Sequence, residues 1–302
     1  MSNLLPWHSA LDVRAVVAVC AFLGCAAASP ASAEWLLDVD AGANYNSNLT
    51  GAPSAPDIRP DWSAVFDASA GQFIALSGND FLTLKADVRG EVYDRYKQLN
   101  FASFGAFGVY RHKFGLGRDA PWAALVVNGS YDDYRSDIRR GARFDLKGEM
   151  GRRVTDAIDV AAGIGYDRRY APNGESIVPG LSGKVFDLTG QSVYFRAGYA
   201  INNDWLVGLN GSIRRGDVES TSQQGLDVFL ASSAITADPA FNDPALFAYR
   251  LRGTTSTLGA TLSWALDDRS SINFNYSYDL TNSPYNLEYR AYNTGLVFAY
   301  RF

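Results

Sequence analysis

The chain has 302 residues, 47% apolar and 20% charged, with a net charge of −5 and a pI of about 5.1. This composition excludes a disordered, collagen-like or disulfide-stapled protein, and the lack of a basic excess argues against nucleic acid as a partner. The 28 glycines and 13% aromatic residues, beside only two His and two Met, favour β architecture with tight turns.

The N-terminal segment is a predicted secretory signal peptide, residues 1–33, that is cleaved. An apolar run at 15–28 follows Arg14 and precedes the small residues at 31–33. The run is about 14 residues long, whereas a spanning helix needs roughly 20. Cleavage after Ala33 would remove both cysteines and leave residues 34–302 as one domain without thiol chemistry. The alternative is a lipoprotein site at Cys25.

Beyond the signal peptide, segments of about ten residues alternate apolar and polar side chains and are separated by turns or polar loops. In 82–92, for example, apolar side chains and glycine fill the even positions and Thr, Lys, Asp, Arg and Glu the odd ones. The pattern predicts an all-β fold: a transmembrane antiparallel up-and-down β-barrel of about 12 strands, with 10 or 14 as alternatives. The predicted strands are 35–45, 62–75, 81–93, 101–114, 122–132, 142–154, 158–168, 186–200, 205–214, 248–266, 271–281 and 288–302.

Connections along this order alternate between short and long. Short ones fall at 76–80, 115–121, 155–157, 202–204 and 267–270, and long ones at 46–61, 94–100, 133–141, 169–185, 215–247 and 282–287. We expect the short turns in the periplasm and the long loops outside the cell. Segment 226–235 of the longest loop is apolar enough to fold inward or to bind a partner. A bulge near Gly190 is expected to bring 186 and 188 into phase with the rest of their strand.

Aromatic residues mark the strand ends and the carboxyl terminus. Tryptophans near strand ends predict interfacial girdles; they are Trp35, Trp62, Trp122, Trp205 and Trp264. The last strand ends with Phe298, Tyr300 and Phe302, which resembles the C-terminal signature of bacterial outer-membrane β-barrels. The resemblance implies recognition by the barrel-assembly machinery, a place in the cell outer membrane, and its lipid and lipopolysaccharide as partners.

Two shorter resemblances concern function. A twelve-stranded barrel with arginines in the bore resembles the oligogalacturonate-specific porins, which would imply passage of acidic oligosaccharides. The stretch Tyr45-Asn46-Ser47-Asn48-Leu49 resembles a first-strand motif in the barrel of surface lipoprotein assembly modifiers.

Catalytic and metal-binding patterns are not evident in the sequence. The predicted mature chain has one histidine, His112, at the periplasmic end of its strand, where a histidine at headgroup level is the simplest interpretation. Asp132 and Asp133 lie at the opposite end and are interpreted as a solvated loop start. We therefore predict no enzymatic activity and no cofactor.

Charged residues alternate with apolar ones on two strands. Their parity, which means the face of the strand that their alternate positions share, predicts that they face the lumen. They are Lys85, Asp87, Arg89 and Glu91 on one strand, and Arg143, Asp145, Lys147 and Glu149 on the other. Such rows either fill a narrow barrel as a structural network or form a polar constriction that selects solutes.

A basic set gathers where the long loops begin and predicts a basic extracellular mouth. It comprises Arg135, Arg139, Arg140, Arg168, Arg169, Arg214, Arg215, Arg250, Arg252 and Arg290. These side chains either bind lipopolysaccharide phosphates or draw anionic solutes towards the mouth. Arg139 is expected on a loop. Arg214 and Arg290 are expected in the lumen, the latter through a phase change near Tyr292, and Arg250 and Arg252 face outward unless a bulge near Gly253 turns them.

The sequence thus predicts an outer-membrane barrel that acts as a passive or substrate-selective diffusion channel, with small anionic solutes or saccharides as candidate cargo. The alternative is a structural, assembly or surface-polymer-binding barrel whose lumen is closed by its charge network. Conductance separates the two hypotheses.

Overall fold

The computed structural model describes residues 33–302, so nearly all of the predicted signal peptide, with both cysteines, lies outside the described residues. The strands are β1 (Ala33–Asn46), β2 (Asp61–Ala75), β3 (Asp80–Tyr93), β4 (Phe101–Lys113), β5 (Trp122–Tyr134), β6 (Gly141–Arg153), β7 (Ile158–Tyr170), β8 (Leu188–Ala200), β9 (Trp205–Ser222), β10 (Ser232–Ala237), β11 (Phe247–Ala265), β12 (Ser270–Ser283) and β13 (Leu287–Arg301). One short helix, α1 (Leu226–Ala231), precedes β10, and single 3-10 turns lie at Ala55–Asp57, Lys97–Leu99, Asp137–Arg139 and Pro239–Phe241.

Twelve of these strands form a closed antiparallel barrel, which confirms the predicted fold class. The seam joins β1 to β13 in continuous register from Asp38↔Arg301 to Asn46↔Asn293. β9 pairs directly with β11 over eighteen positions, so β10 is not a barrel strand. Instead, β10 pairs with the first residues of β11, beyond the point where the β11–β12 ladder ends at Thr254↔Asn282.

The period-2 pattern determines which side chains line the lumen. Successive residues of a strand point to opposite faces, so each strand has one apolar face, which is turned outward. Phe104 on β4, Ile164 on β7 and Leu258 on β11 are accordingly 58%, 66% and 62% exposed. The hydrophilic odd positions of β3 and β6 face inward, where several of them line one cavity.

The two ends of the barrel differ. The connections 76–79, 114–121, 154–157, 201–204 and 266–269 lie at one end, called here the short-turn end, together with the start of β1 and the last residues of β13. The loop end carries loops 1 to 6, which are 47–60, 94–100, 135–140, 171–187, 223–246 and 284–286. Loop 5 contains α1 and β10.

Four of the five predicted girdle tryptophans share the outward parity. Trp35 is 73% exposed, and Trp205 and Trp264 stack at 5.5 Å between ring centroids across the β9–β11 ladder. Trp122 is the exception and a correction: its position on β5 has the parity of Asn128 and Ser130, so its indole lies inside the barrel. Position near a strand end therefore does not identify an interfacial tryptophan unless its parity agrees.

Eleven of the twelve predicted strands agree with the structure to within two residues at each end. The bulge expected near Gly190 is absent, because β8 begins at Leu188 and its ladder with β7 is uninterrupted. Phe186 precedes the strand and is fully buried in loop 4. The larger error concerns β9, which continues to Ser222, eight residues beyond the predicted end.

The extended β9–β11 hairpin, residues 217–251 with loop 5, forms a cap over the loop end. Thr221 N donates to Thr50 O of loop 1 at 2.7 Å, and Arg139 of loop 3 pairs with Asp238 of the cap. Ile235 N donates to Ser182 O of loop 4 at 2.8 Å. Because the cap contacts loops on opposite sides of the barrel, it lies across the mouth.

The cap is held by three buried apolar clusters, all at the loop end. The first contains Val228, Ile235, Tyr249, Leu251, Leu287 and Tyr289, the second Ala171, Val185, Phe186, Ala234 and Ala248, and the third Leu99, Ala240, Phe241 and Leu246. Segment 226–235 supplies Val228 and Ile235 to the first cluster and Ala234 to the second, whereas Leu226, Phe229 and Leu230 remain exposed, so the segment is only partly buried. Among residues 33–302, no helix is long and apolar enough to cross a membrane.

Candidate functional site

Both predicted charge rows line the lumen. Lys85, Asp87, Arg89, Glu91, Arg143 and Asp145 surround a cavity of about 450 Å³, and Lys147 and Glu149 continue the same face of β6. Arg143 pairs with Asp132 of β5 at 3.2 Å, and Asp132 also accepts a hydrogen bond from Ser103 at 2.8 Å. Asp132 is therefore buried, which corrects its interpretation as a solvated loop residue.

Several lumen contacts join strands that are not neighbours. Arg214 of β9 donates two hydrogen bonds to Asp167 of β7, at 2.9 and 2.6 Å, and crosses β8 at Gly190. Lys85 of β3 reaches Asp38 of β1 at 2.5 Å and crosses β2 at Gly71.

Tyr194 of β8 makes the third crossing and donates to Glu149 of β6 at 3.2 Å over Gly163 of β7. At each of the three glycines, a Cβ atom would lie within 2.7 Å of the crossing side chain, and at Gly71 and Gly163 it would also overlap a backbone carbonyl oxygen of a neighbouring strand. The glycines thus act as passes, because a missing Cβ on the middle strand lets a long side chain reach a carboxylate two strands away.

The charge network is incomplete. Among the described residues, Asp87 and Lys147 have no oppositely charged atom within 4.0 Å, and Asp145 receives only a long hydrogen bond from Asn128, at 3.4 Å. Asp87 instead packs against Gly105 of β4. The lumen therefore holds fixed charges that are not neutralised by neighbouring side chains.

The middle of the opposite wall is rich in uncharged polar groups. It is built by β9, β11, β12, β13 and β1, whose inward positions there carry mainly amides and hydroxyls, although Arg214, Asp38, Asp40, Asp279 and Arg301 add charges nearer the strand ends. Asn44, Asn210, Asn275, Ser277 and Asn293 are among those that surround a second cavity, of about 330 Å³. The second cavity thus offers mainly uncharged hydrogen-bonding groups, with Asp61 and Glu91 at its edge.

Half of the ten arginines predicted to form a basic mouth are engaged in ion pairs, which is a correction; they are Arg139, Arg140, Arg168, Arg214 and Arg290. Arg139 is not free on a loop: it is buried, pairs with Asp238, and its guanidinium lies 4.1 Å from the ring centroid of Phe186. Arg169 is also buried and donates to the carbonyl of Arg139 at 2.7 Å. These two arginines hold loops 3 and 4 to the cap.

The remaining arginines of this set divide between the wall and the rim. Arg140 pairs with Asp133 and Asp137, Arg168 with Asp187, and Arg290 with Glu288. Arg290 shares the outward parity of Tyr292 and Leu296, because the β12–β13 ladder runs without the phase change predicted near Tyr292.

Arg250 and Arg252 also have outward parity, since the β9–β11 ladder passes Gly253 without a bulge. Arg250 donates to the carbonyls of Lys184 and Asp187 in loop 4. Of the predicted lumen-facing pair, only Arg214 lies inside.

A basic basin at the short-turn end was missed from the sequence. We call it the vestibule: a cavity of about 680 Å³ whose lining includes Lys85, Arg111, Lys113, Arg153, Phe73, Phe81, Phe107 and Trp122. Arg111, Lys113 and Arg153 share the inward parity of the charge rows, and that was the signal that could have found them. Arg111, Lys113 and Arg153 lie at the strand ends opposite the long loops, away from the arginines of the predicted basic mouth.

The single histidine of the described chain takes no part in the lumen. His112 lies on the outer wall at the short-turn end, where its Nδ1 is 2.7 Å from Asp80 Oδ1. Tyr110 donates to the same oxygen at 2.6 Å. Within residues 33–302, no group of three or more His, Cys, Asp or Glu side chains is arranged to hold a metal ion.

Comparison with known proteins finds likeness in structure only. No protein-family model and no curated protein matches the chain. An outer-membrane channel from Pseudomonas putida F1 superposes with a TM-score of 0.58 at 7% identity, over 89% of this chain and 95% of that one.

Two other solved structures superpose less closely on this chain. The translocator domain of autotransporter NalP from Neisseria meningitidis matches with a TM-score of 0.44 at 10% identity, over 96% and 95% of the two chains. The KdgM porin in complex with disordered oligogalacturonate matches with a TM-score of 0.41 at 10% identity, over 88% and 99%. The likeness to the Pseudomonas putida channel and the closed twelve-stranded antiparallel barrel together show that the chain has the fold of outer-membrane β-barrels.

Proposed function

We propose that the protein is an outer-membrane channel for small polar solutes, with the short turns in the periplasm and the cap outside the cell. The observation that carries the proposal is the hydrophilic inner face of the barrel. It combines uncompensated charges such as Asp87 with amides and hydroxyls, around cavities of about 330, 450 and 680 Å³. A lumen of this chemistry suits hydrated solutes rather than apolar ones. The proposed role is passive or selective diffusion without enzymatic activity.

The cap favours a second candidate function. Its buried clusters and the Arg139–Asp238 ion pair cover the loop end, as expected of a closed barrel that acts in surface binding or assembly. A channel with this cap would need cap movement, or a path around it, for each passage.

Conductance in planar bilayers tests the proposal. We expect the full chain to give stepwise conductance, and Asp87→Asn to raise the anion-to-cation permeability ratio measured as a reversal potential under a salt gradient. Asp133→Asn is the matched control, because Asp133 has outward parity on β5 and should leave selectivity unchanged. Silent bilayers from correctly folded protein would favour the closed barrel.

A further inference from the structure

We propose that the vestibule is a binding site for organic anions that carry an aromatic or aliphatic body. The inference deepens the proposed function, since it rests on a lumen accessible to solutes from the short-turn end. The observation behind it is that unpaired cations and half-buried aromatic rings line the same cavity.

The cations of the vestibule are available to a ligand. Within the described chain, Arg111, Lys113 and Arg153 have no carboxylate within 4.0 Å, although Asp159 also lines the cavity. Lys113 Nζ donates only to the carbonyl of Gly117, at 3.0 Å. An anion would therefore add charge-assisted hydrogen bonds without displacing an existing ion pair.

Arg111 is held in place by Trp122. The guanidinium carbon lies 4.5 Å from the centroid of the indole ring. The indole in turn lies so close to Gly151 of β6 that a Cβ atom there would overlap it. The indole is thus fixed against the backbone of β6, and its cation–π contact restricts the guanidinium before any ligand arrives.

The apolar part of the vestibule lies beside these cations. Phe73 and Phe81 stack at 5.7 Å between ring centroids with an interplanar angle of 18°, and Phe107 and Val109 continue the surface. Elsewhere in the lumen, the inward positions are mainly charged, amide or hydroxyl. A cluster of aromatic side chains next to unpaired cations fits a ligand with one anionic group and a ring or chain, and the cavity volume is that of a small-molecule site.

The charges around the vestibule favour an anionic ligand over a cationic one. Apart from Asp159, which lines the vestibule, the acidic groups that line cavities at this end lie on the other side, where Asp38, Asp40, Asp267 and Asp268 line a separate cavity. Asp38 is already paired with Lys85 and Arg301. An anion in the vestibule thus contacts the basic side of the lumen and is kept away from the acidic side by repulsion.

Calorimetric titration of the folded full chain in detergent micelles tests the site, with 1-naphthoate as the probe and uncharged 1-naphthamide as its analogue. Empty micelles provide the blank for partitioning of each probe. We expect saturable binding of 1-naphthoate and at least 10-fold weaker binding of 1-naphthamide. Equal affinities for the two probes, or no saturable binding of 1-naphthoate, would overturn the inference.

Two adjacent arginines on β6 supply a matched pair of variants. Arg153→Gln should weaken 1-naphthoate binding at least 5-fold, whereas Arg152→Gln, on the outward face, should change it less than 2-fold. Equal losses in both would overturn the inference, and heat-modifiable gel mobility verifies folding of each variant. Trp122→Phe gives a second readout independent of charge, because a looser Arg111 should also weaken 1-naphthoate. Conductance without 1-naphthoate binding refutes this site alone, while binding without conductance refutes the proposed channel alone.

Discussion

Gly190→Ala tests whether glycine passes decide which charges can pair. The added Cβ would overlap the guanidinium of Arg214, so the arginine must leave its two hydrogen bonds to Asp167. A hydrogen bond to a charged group contributes about 1.5–3 kcal/mol. Since the two side chains are 25% and 29% exposed, solvent screens the pair, and we expect the two bonds together to contribute only about 1.5–2 kcal/mol. Replacing a strand glycine by alanine returns about 0.5–1 kcal/mol. The expected net loss is therefore about 1 kcal/mol.

The assay is urea-induced unfolding in lipid vesicles, followed by tryptophan fluorescence. The same substitution is repeated in an Arg214→Met background, where no guanidinium occupies the pass. There Gly190→Ala should stabilise the protein by about 0.5–1 kcal/mol, so its effects in the two backgrounds should differ by about 1.5–2 kcal/mol. Gly129→Ala is the control for backbone effects, because a Cβ at Gly129 meets nothing within 4 Å. An equal loss of stability in both backgrounds would refute the role of the pass.

Three further predictions concern the carboxyl terminus, the cap and one turn. Phe302→Asp should leave the protein in periplasmic aggregates, and normal membrane levels of that variant would contradict recognition of the last strand. Asp238→Asn should loosen the cap, since breaking a buried ion pair costs about 3–5 kcal/mol. The result should be faster proteolysis within loop 5 of folded protein, whereas Asp243→Asn, in a more exposed pair with Arg59, should change little. At the 266–269 turn, the backbone N–H of Arg269 lowers the pKa of Asp267 below 3.8, so its ionised form stabilises the turn above that pH. Asp267→Asn should lower the unfolding midpoint at pH 7, and the difference from wild type should shrink as the pH falls below 4.

The strand positions and the facing of the lumen charges were predictable from the sequence, because the period of two is a local property of the chain. The same parity places Asp87 inside the barrel and Val88 outside. The end of β9 was not predictable, since Arg215, Asp217 and Glu219 resemble a polar loop in isolation. Those residues continue as a strand because β11 pairs with them and the cap covers them, and both causes are tertiary.

The ion-pair partners of the charged residues were also not predictable from the sequence. Alternation indicates that Arg214 faces inward, but its partner Asp167 lies two strands away and is accessible only through Gly190. Arg139 resembles a solvated loop residue until the cap supplies Asp238 and the ring of Phe186. Ion pairing between strands that are not neighbours depends on small residues of the intervening strand. The pattern of each strand taken alone does not show this dependence.

The cap has a consequence for the order of folding. Its contact with loop 1, from Thr221 N to Thr50 O, joins segments that are far apart in sequence, and its contacts with β13 connect the cap to the other side of the β1–β13 seam. Contacts of such long range form late, because the intervening chain must first be ordered. The cap should therefore assemble only after the cylinder has closed. Protection of loop 5 from protease during membrane insertion would then show when the barrel closes, so the loop can be used to follow the completion of the barrel.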